Sequence, residues 1–160
     1  MNPRQLDASI RGTLRPLGRR FWNSGADSRT RTIKNRIGSL SPSGVTIYAN
    51  RCKYERNREF VFDMTWLVLR DGYIESVPLV MESEWRRGQE IHNDFQKLMI
   101  ARAGLRIMIF GGKDCDSVSD QIWELKQEVA RCGASRTEDR YLLAGFSVKE
   151  AKFKFESLGA

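Results

Sequence analysis

Asp71-Gly72 lies between two runs of strand-forming residues, Glu59 to Leu69 and Tyr73 to Trp85. A two-residue Asp-Gly loop commits such a pair to a tight antiparallel hairpin. The loop sets a register in which Arg70 faces Tyr73, Asp63 faces Val80 and Glu59 faces Glu84. Side chains alternate across a strand, so each run presents two different faces. One face carries Phe60, Phe62, Met64 and Trp66 against Leu79, Met81, Ser83 and Trp85, and is apolar enough to be a core face. The other carries Glu59, Val61 and Asp63 against Val80, Glu82 and Glu84. Glu82 and Glu84 then point the same way, ~6–7 Å apart along the strand, with Asp63 the diagonal neighbour of Glu82 at roughly 7–8 Å between Cα atoms. Carboxylates crowded on one strand face repel one another and lose hydration unless a positive group sits between them. Oxygen ligands of this kind suit Mg²⁺ or Mn²⁺, which keep several waters and share the rest of their shell with phosphates.

The flanking segments imply a mixed central sheet with helices packed on it, an α/β fold. Leu6, Ile10, Leu14, Leu17 and Phe21 recur at helical spacing, with Pro16 expected to split or kink the helix. Ile33, Ile37 and Leu40 mark a second helix, stopped at Ser41-Pro42-Ser43-Gly44 and preceded by a loop over Asn23 to Ser28. Val45 to Tyr48 reads as a short strand. After the hairpin, Gln89 to Ala103 has helical periodicity and ends at Gly104. Leu105 to Phe110 is a nearly all-apolar run, as expected of a central strand covered on both faces, and Gly111-Gly112 ends it. Ser117 to Arg131 reads as a helix with Ser117 as N-cap. Arg140 to Phe146 and Lys152 to Phe155 are two last strands, the second alternating Lys and Phe like an edge strand.

The 160 residues suit one domain: a basic helical region over 1–50, a core over 55–112, and a helix with strands over 113–160. Charge is unevenly distributed. Residues 1–58 hold 13 Lys and Arg against three acids, a net +10, and the remaining residues hold 14 against 17, a net −3. A basic first third on an acid-centred body suits a polyanion gripped by one region and processed by another. Arg11, Arg15, Arg19, Arg20, Arg29, Arg31, Lys34 and Arg36 are the candidates to hold a nucleic-acid backbone. Cys52, Cys115 and Cys132 have no metal or disulfide spacing and read as reduced thiols of a cytoplasmic protein. No apolar run approaches the ~18–20 residues of a membrane span, and Met1 to Arg20 lacks a secretory core. The lone His92 reads as a packing or surface residue, and Gly111-Gly112-Lys113 lacks the frame of a phosphate loop.

With Asp63 and Glu82-Ser83-Glu84 on a hairpin between helices, the chain resembles the PD-(D/E)xK, restriction-endonuclease-like nucleases over roughly residues 55–112. That core is a helix, a strand hairpin bearing Asp and then (D/E)xK, a helix, and a further strand crossing back. Asp63 matches the first acid, preceded by Phe62 rather than Pro, and Glu82 matches the second. Glu84 stands where most members carry Lys, and Lys97 on the following helix is the candidate substitute. The resemblance implies a restriction-endonuclease-like fold and Mg²⁺- or Mn²⁺-dependent hydrolysis of DNA phosphodiester bonds, most simply endonucleolytic, with RNA left open. Asp63 and Glu82 would hold the metal, with Glu59 as a further ligand. Glu84 would orient water or complete the shell, and Lys97 would offset charge on the phosphate. Cutting both strands calls for a homodimer or two successive nicks. The competing expectations are a nucleic-acid-binding module whose chemistry has lapsed and a non-enzymatic partner subunit.

Overall fold

Proline has no N–H to donate and clashes with the preceding turn, and in the computed structural model the first helix stops two residues short of Pro16. The structure describes residues 2–54, 60–86 and 88–159. The elements are α1 (Pro3–Leu14), α2 (Arg19–Trp22), α3 (Ala26–Gly38), β1 (Val45–Ala49), β2 (Met64–Arg70), β3 (Tyr73–Glu84), α4 (Gln89–Ile100), β4 (Leu105–Gly112), α5 (Cys115–Arg131), β5 (Arg140–Ser147) and β6 (Lys152–Gly159). The strands form one sheet in sequential order. β1, β2 and β3 are an antiparallel meander, β4 and β5 continue parallel to β3, and β6 returns antiparallel at the edge.

Two cores sandwich this sheet. On one face, Leu6, Ile10 and Leu14 of α1 and Ile33 and Ile37 of α3 pack on Trp66, Leu79, Met81, Ile107, Ile109 and Leu142. On the other, Ile91, Phe95 and Leu98 of α4 and Val118, Ile122 and Leu125 of α5 pack on Val80, Met108, Phe110 and Leu143. β4 is buried at all eight positions, which is why its sequence shows no polar alternation. The expected α/β architecture with a mixed sheet is therefore present. No helix among the described residues is long and apolar enough to cross a membrane, and Cys52, Cys115 and Cys132 are free thiols.

Several local expectations are corrected. β2 begins at Met64, and the described residues just before it, 60–63, carry an isolated bridge between Phe60 and Phe62 rather than the expected strand. α3 begins at Ala26, inside the expected loop. Gly111 and Gly112 are the last two residues of β4, so the strand ends at the glycine pair but includes it. A Cβ on Gly112 would come 2.6 Å from Val118 Cγ2, so this position is kept small by the approach of α5. The N-cap of α5 is Asp114, whose side chain accepts from the Ser117 amide while Ser117 Oγ accepts from the Asp114 amide. Ser117 is thus the far half of a capping box rather than the cap itself.

The hairpin register also differs. Its tip pairs as expected, Arg70 with Tyr73 and Leu69 with Ile74, but Val68 meets Ser76, and Trp66 meets Leu79. The two irregularities place extra residues on β3 around Glu75 and around Val77-Pro78. Pro78 cannot donate to the ladder, so a bulge beside it is the inexpensive arrangement. One bulge would exchange the two faces of the strand, and the second restores them. Thr65, not Asp63, faces Val80.

Gly145 of β5 lies under α5, where an added Cβ would come 2.3 Å from Val118 Cγ1 and 3.0 Å from the Phe110 ring. Gly145→Ala is expected to lower stability by about 1–3 kcal/mol, as overpacking of a tight core does. Gly133→Ala, with nothing within 4 Å of its Cβ, is expected to stay within about 0.5 kcal/mol of the parent. Urea unfolding midpoints of the two variants check this.

Candidate active site

The parallel strands β3, β4 and β5 end on the same side of the sheet, where β1 also ends and β2 begins. Asp63 stands immediately before β2 there, one step beyond the Met64–Met81 pair and therefore level with Glu82. The Asp63 amide lies 3.4 Å from Glu82 Oε2 and donates to it. The bulges thus replace the expected diagonal relation with a direct one.

The Asp63 carboxylate is held from the α3 side. Its Oδ2 accepts from the Ser83 amide at 2.9 Å and from Ser83 Oγ at 2.6 Å. Ser83 Oγ lies 3.0 Å from Thr30 Oγ1, which also accepts from Trp85 Nε1 at 2.9 Å. Lys34 of α3 is buried, donates to the Asn50 carbonyl at 3.2 Å and lies 3.6 Å from Asp63 Oδ1. Thr30, Ser83 and Lys34 therefore fix the Asp63 rotamer. The residues on either side of the β3 ladder explain why sequence spacing missed the first two: their hydroxyls matter only once α3 is docked.

Glu82 faces the opposite side, toward α4. It is 5% exposed, and its Oε1 is wholly buried, with the Lys97 ammonium as its polar partner. The Lys97 ammonium lies 2.6 Å from that oxygen and 2.8 Å from Asp94 Oδ1, one turn earlier on α4. Burial pushes the Glu82 carboxyl up to about 7; Lys97 offsets part of that, and the charge of Asp63 adds to it. Burial works against the Lys97 ammonium, but hydrogen bonds to Asp94 and Glu82 outweigh it and hold Lys97 above its ordinary value. The helix lysine singled out from sequence is therefore beside the second acid.

Glu84 does not join this pair. Arg86 donates to it from its backbone amide at 2.7 Å and from its guanidinium at 3.2 and 2.9 Å. Burial raises the Glu84 carboxyl, but the Arg86 hydrogen bonds outweigh it and leave the group below the usual carboxylate range. Glu59, the fourth acid expected here, lies outside the described residues. Among the described residues no group of three or more His, Cys, Asp and Glu side chains is arranged to hold a metal ion. Among the described residues the expected knot of carboxylates is thus reduced to Asp63 and Glu82, because the chain turns at Trp85 and gives Glu84 its own cation. Two hard oxygen donors at one sheet end suit an ion that binds through one or two carboxylates plus phosphate, but the Asp63 carboxylate is turned to Ser83 and Lys34 and that of Glu82 to Lys97, so the two do not converge on one point as they stand.

The basic first third divides by role. Arg11 pairs with Asp7 at 2.5 Å and lies over Phe155, and Arg36 donates to the Thr13 carbonyl at 2.9 Å. Arg29 donates to the Trp22 carbonyl at 2.6 Å and stacks on Trp22 and Trp85, its basicity lowered by burial. With Lys34, these four tie elements together rather than facing outward as a backbone grip. Arg15, Arg19, Arg20 and Arg31 are exposed. His92 is held between Glu124 and Glu128 and links α4 to α5, as its reading as a packing residue anticipated.

Glu82 ties stability to pH. In the unfolded chain this carboxyl loses its proton near 4.5, and in the folded chain near about 7. Stability falls as pH rises through that interval, because the folded state keeps the proton longer. Glu82→Gln removes the penalty. It is expected to be more stable than the parent at pH 8, by up to about 3 kcal/mol, and indistinguishable near pH 4.5. Thermal melts across this range check the sign.

Comparisons with protein-family models, with curated proteins and with solved structures return no match for this chain.

Proposed function

We propose that the chain is a metal-dependent nuclease that hydrolyses DNA phosphodiester bonds on a restriction-endonuclease-like core. One observation carries the reading: residues from three separate elements, Asp63 before β2, Glu82 on β3 and Lys97 on α4, meet at one end of the sheet. The connectivity supports it. α3, the meander β1–β2–β3, α4 and the parallel strand β4 follow the order helix, hairpin, helix, returning strand that the PD-(D/E)xK resemblance calls for.

A divalent cation held by Asp63 and Glu82 would supply Lewis acidity to the phosphodiester and to the attacking water. The other contributions come from the chain itself. Ser83 and Lys34 hold the Asp63 carboxylate toward α3, so sharing an ion with Glu82 would require it to turn from Ser83. Asp94 holds Lys97 at the mouth of the site, where its ammonium is charged at neutral pH and can turn from Glu82 to a non-bridging phosphate oxygen. Lys97 thus stands in for the motif lysine that Glu84 replaces. Glu84 is bound by Arg86 and takes no part in orienting water. Arg86, largely exposed, neutralises Glu84 at the same rim.

The test is incubation of supercoiled and linear DNA with the protein in Mg²⁺, Mn²⁺ or EDTA. Cutting is expected with the metals and not with EDTA. Asp63→Ala and Glu82→Ala should each reduce it by at least about 10²-fold, and Lys97→Ala by about 10²–10³-fold. Salt-sensitive DNA binding without cutting under any metal would replace the hydrolase with a binding module. Failure to retain DNA or RNA at low salt would remove both.

A further inference from the structure

Asp63 also borders a second feature, on the α3 face of the sheet and away from Glu82. A cleft of about 340 Å³ opens there, lined by Arg31 and Lys34 of α3, Asn50 and Arg51 after β1, and Asp63 and Ser83. A shallower hollow continues outward past Arg31 and Arg51 to Lys53. Lys34 and Asp63 close the inner end as an ion pair, and Asp27 stands with Arg31 and Arg51 at the mouth, where the two arginines outweigh the one carboxylate. Arg31 is exposed and makes a hydrogen bond to Ser28 Oγ at 3.0 Å. Arg51 reaches Asp27 only at 3.7 Å, with both side chains largely in water, a pairing too weak to compete with a phosphate.

The mouth is also built rather than incidental. Arg51 is held in the left-handed region, φ 53°, a conformation that non-glycine residues seldom keep without a constraint. Asn50 supplies that constraint, its Oδ1 accepting from the Arg51 amide at 2.8 Å. Asn35 of α3 does the same for the Lys53 amide at 2.9 Å. Residues 50–53 therefore carry their cations to a defined edge of the cleft. The volume is at the low end for ligand clefts, enough for the backbone of one strand and too small for a duplex.

We propose that this cleft seats the sugar–phosphate backbone of a single DNA strand, with Arg31 and Arg51 holding one phosphate and Lys53 the next. Its position beside the scissile bond rests on the nuclease reading; its affinity for a strand does not. Backbone contacts of this kind position the strand without reading its sequence, so the cleft assigns polarity and register to the cut rather than base specificity.

The test measures anisotropy of a labelled single-stranded oligonucleotide in EDTA across a salt series. The Arg31→Ala/Arg51→Ala double variant is expected to bind at least about tenfold more weakly at low salt. The slope of log affinity against log salt should flatten by about 0.7–1.4, the range for losing one or two phosphate contacts on a single strand. Arg102→Ala/Arg136→Ala, at the opposite end of the sheet, is the control and should change binding less than about twofold. An unchanged slope in the cleft variant overturns the proposal, as does displacement of the oligonucleotide by inorganic phosphate at equal phosphate concentration. If the parent cuts DNA and the cleft variant cuts with the same KM, the cleft assignment falls and the nuclease reading stands. If nothing is cut with any metal while the slope still flattens, the cleft stands and the hydrolytic reading falls.

Discussion

Glu82 occupies a strand position covered by helices, so its carboxylate loses most of its water before any partner reaches it. That loss exceeds the gain from Lys97, whose half-exposed ammonium is shared with Asp94 and screened by solvent. The carboxyl is accordingly pushed up to about 7 rather than down. The surroundings can be read as responses to this one costly group. α4 presents Asp94 and Lys97 on the face toward it, the Asp63 amide donates to its second oxygen, and Glu84 is drawn away by Arg86. A core of this size can carry such a penalty because the strands beside it are apolar on both faces.

The end of β3 works as a divider between two environments. Successive side chains alternate, so Glu82 belongs to the α4 side while Ser83 belongs to the α3 side. Asp63, coming in before β2, makes contact with both: its amide reaches Glu82 and its carboxylate reaches Ser83. A single residue therefore couples the acid pair to the basic cleft. Its carboxylate is fixed by two donors from Ser83, which is itself held by Thr30, and Thr30 by Trp85. This chain runs from the aromatic packing of Trp22, Phe21 and Trp85 to the site. The apolar core thereby sets the position of a polar group at its edge.

Much of this arrangement was legible in the sequence, and the limits have physical causes. The Asp71-Gly72 turn and the alternation of Met64 and Trp66 against Leu79 and Met81 located the hairpin and its core face. The apolar run of β4 announced burial on both sides. Lys97 could be singled out only through the family resemblance, which calls for a substitute lysine on the following helix. The register could not be carried past Pro78, because a bulge changes the pairing without changing composition. Gly112 looked like a turn residue, and its smallness serves α5, an element that contacts it only in three dimensions. The arginines of the first third look alike in sequence, yet Arg29 and Arg36 are spent on carbonyls while Arg31 remains at the surface. That distinction depends on tertiary packing.

Glu84 adds a third carboxylate at this end of the sheet, and the structure balances its charge locally. Each acid at this end of the sheet has a cation from a different element: Lys34 for Asp63, Lys97 for Glu82 and Arg86 for Glu84. The three pairs are not equivalent. Arg86 is adjacent in sequence and binds Glu84 with two guanidinium bonds and an amide, a closed arrangement with little capacity left. Lys34 is buried and lies at a longer distance, so it holds Asp63 electrostatically without covering both oxygens. Lys97 is half exposed, on a flexible stem, and shared at short range between two carboxylates. Of the three cations it is the one that can leave its acid for another anion at small cost, since Asp94 retains part of its interaction. The mobile positive charge and the buried carboxylate are therefore partners, and a phosphate drawing Lys97 away would leave Glu82 in need of another cation.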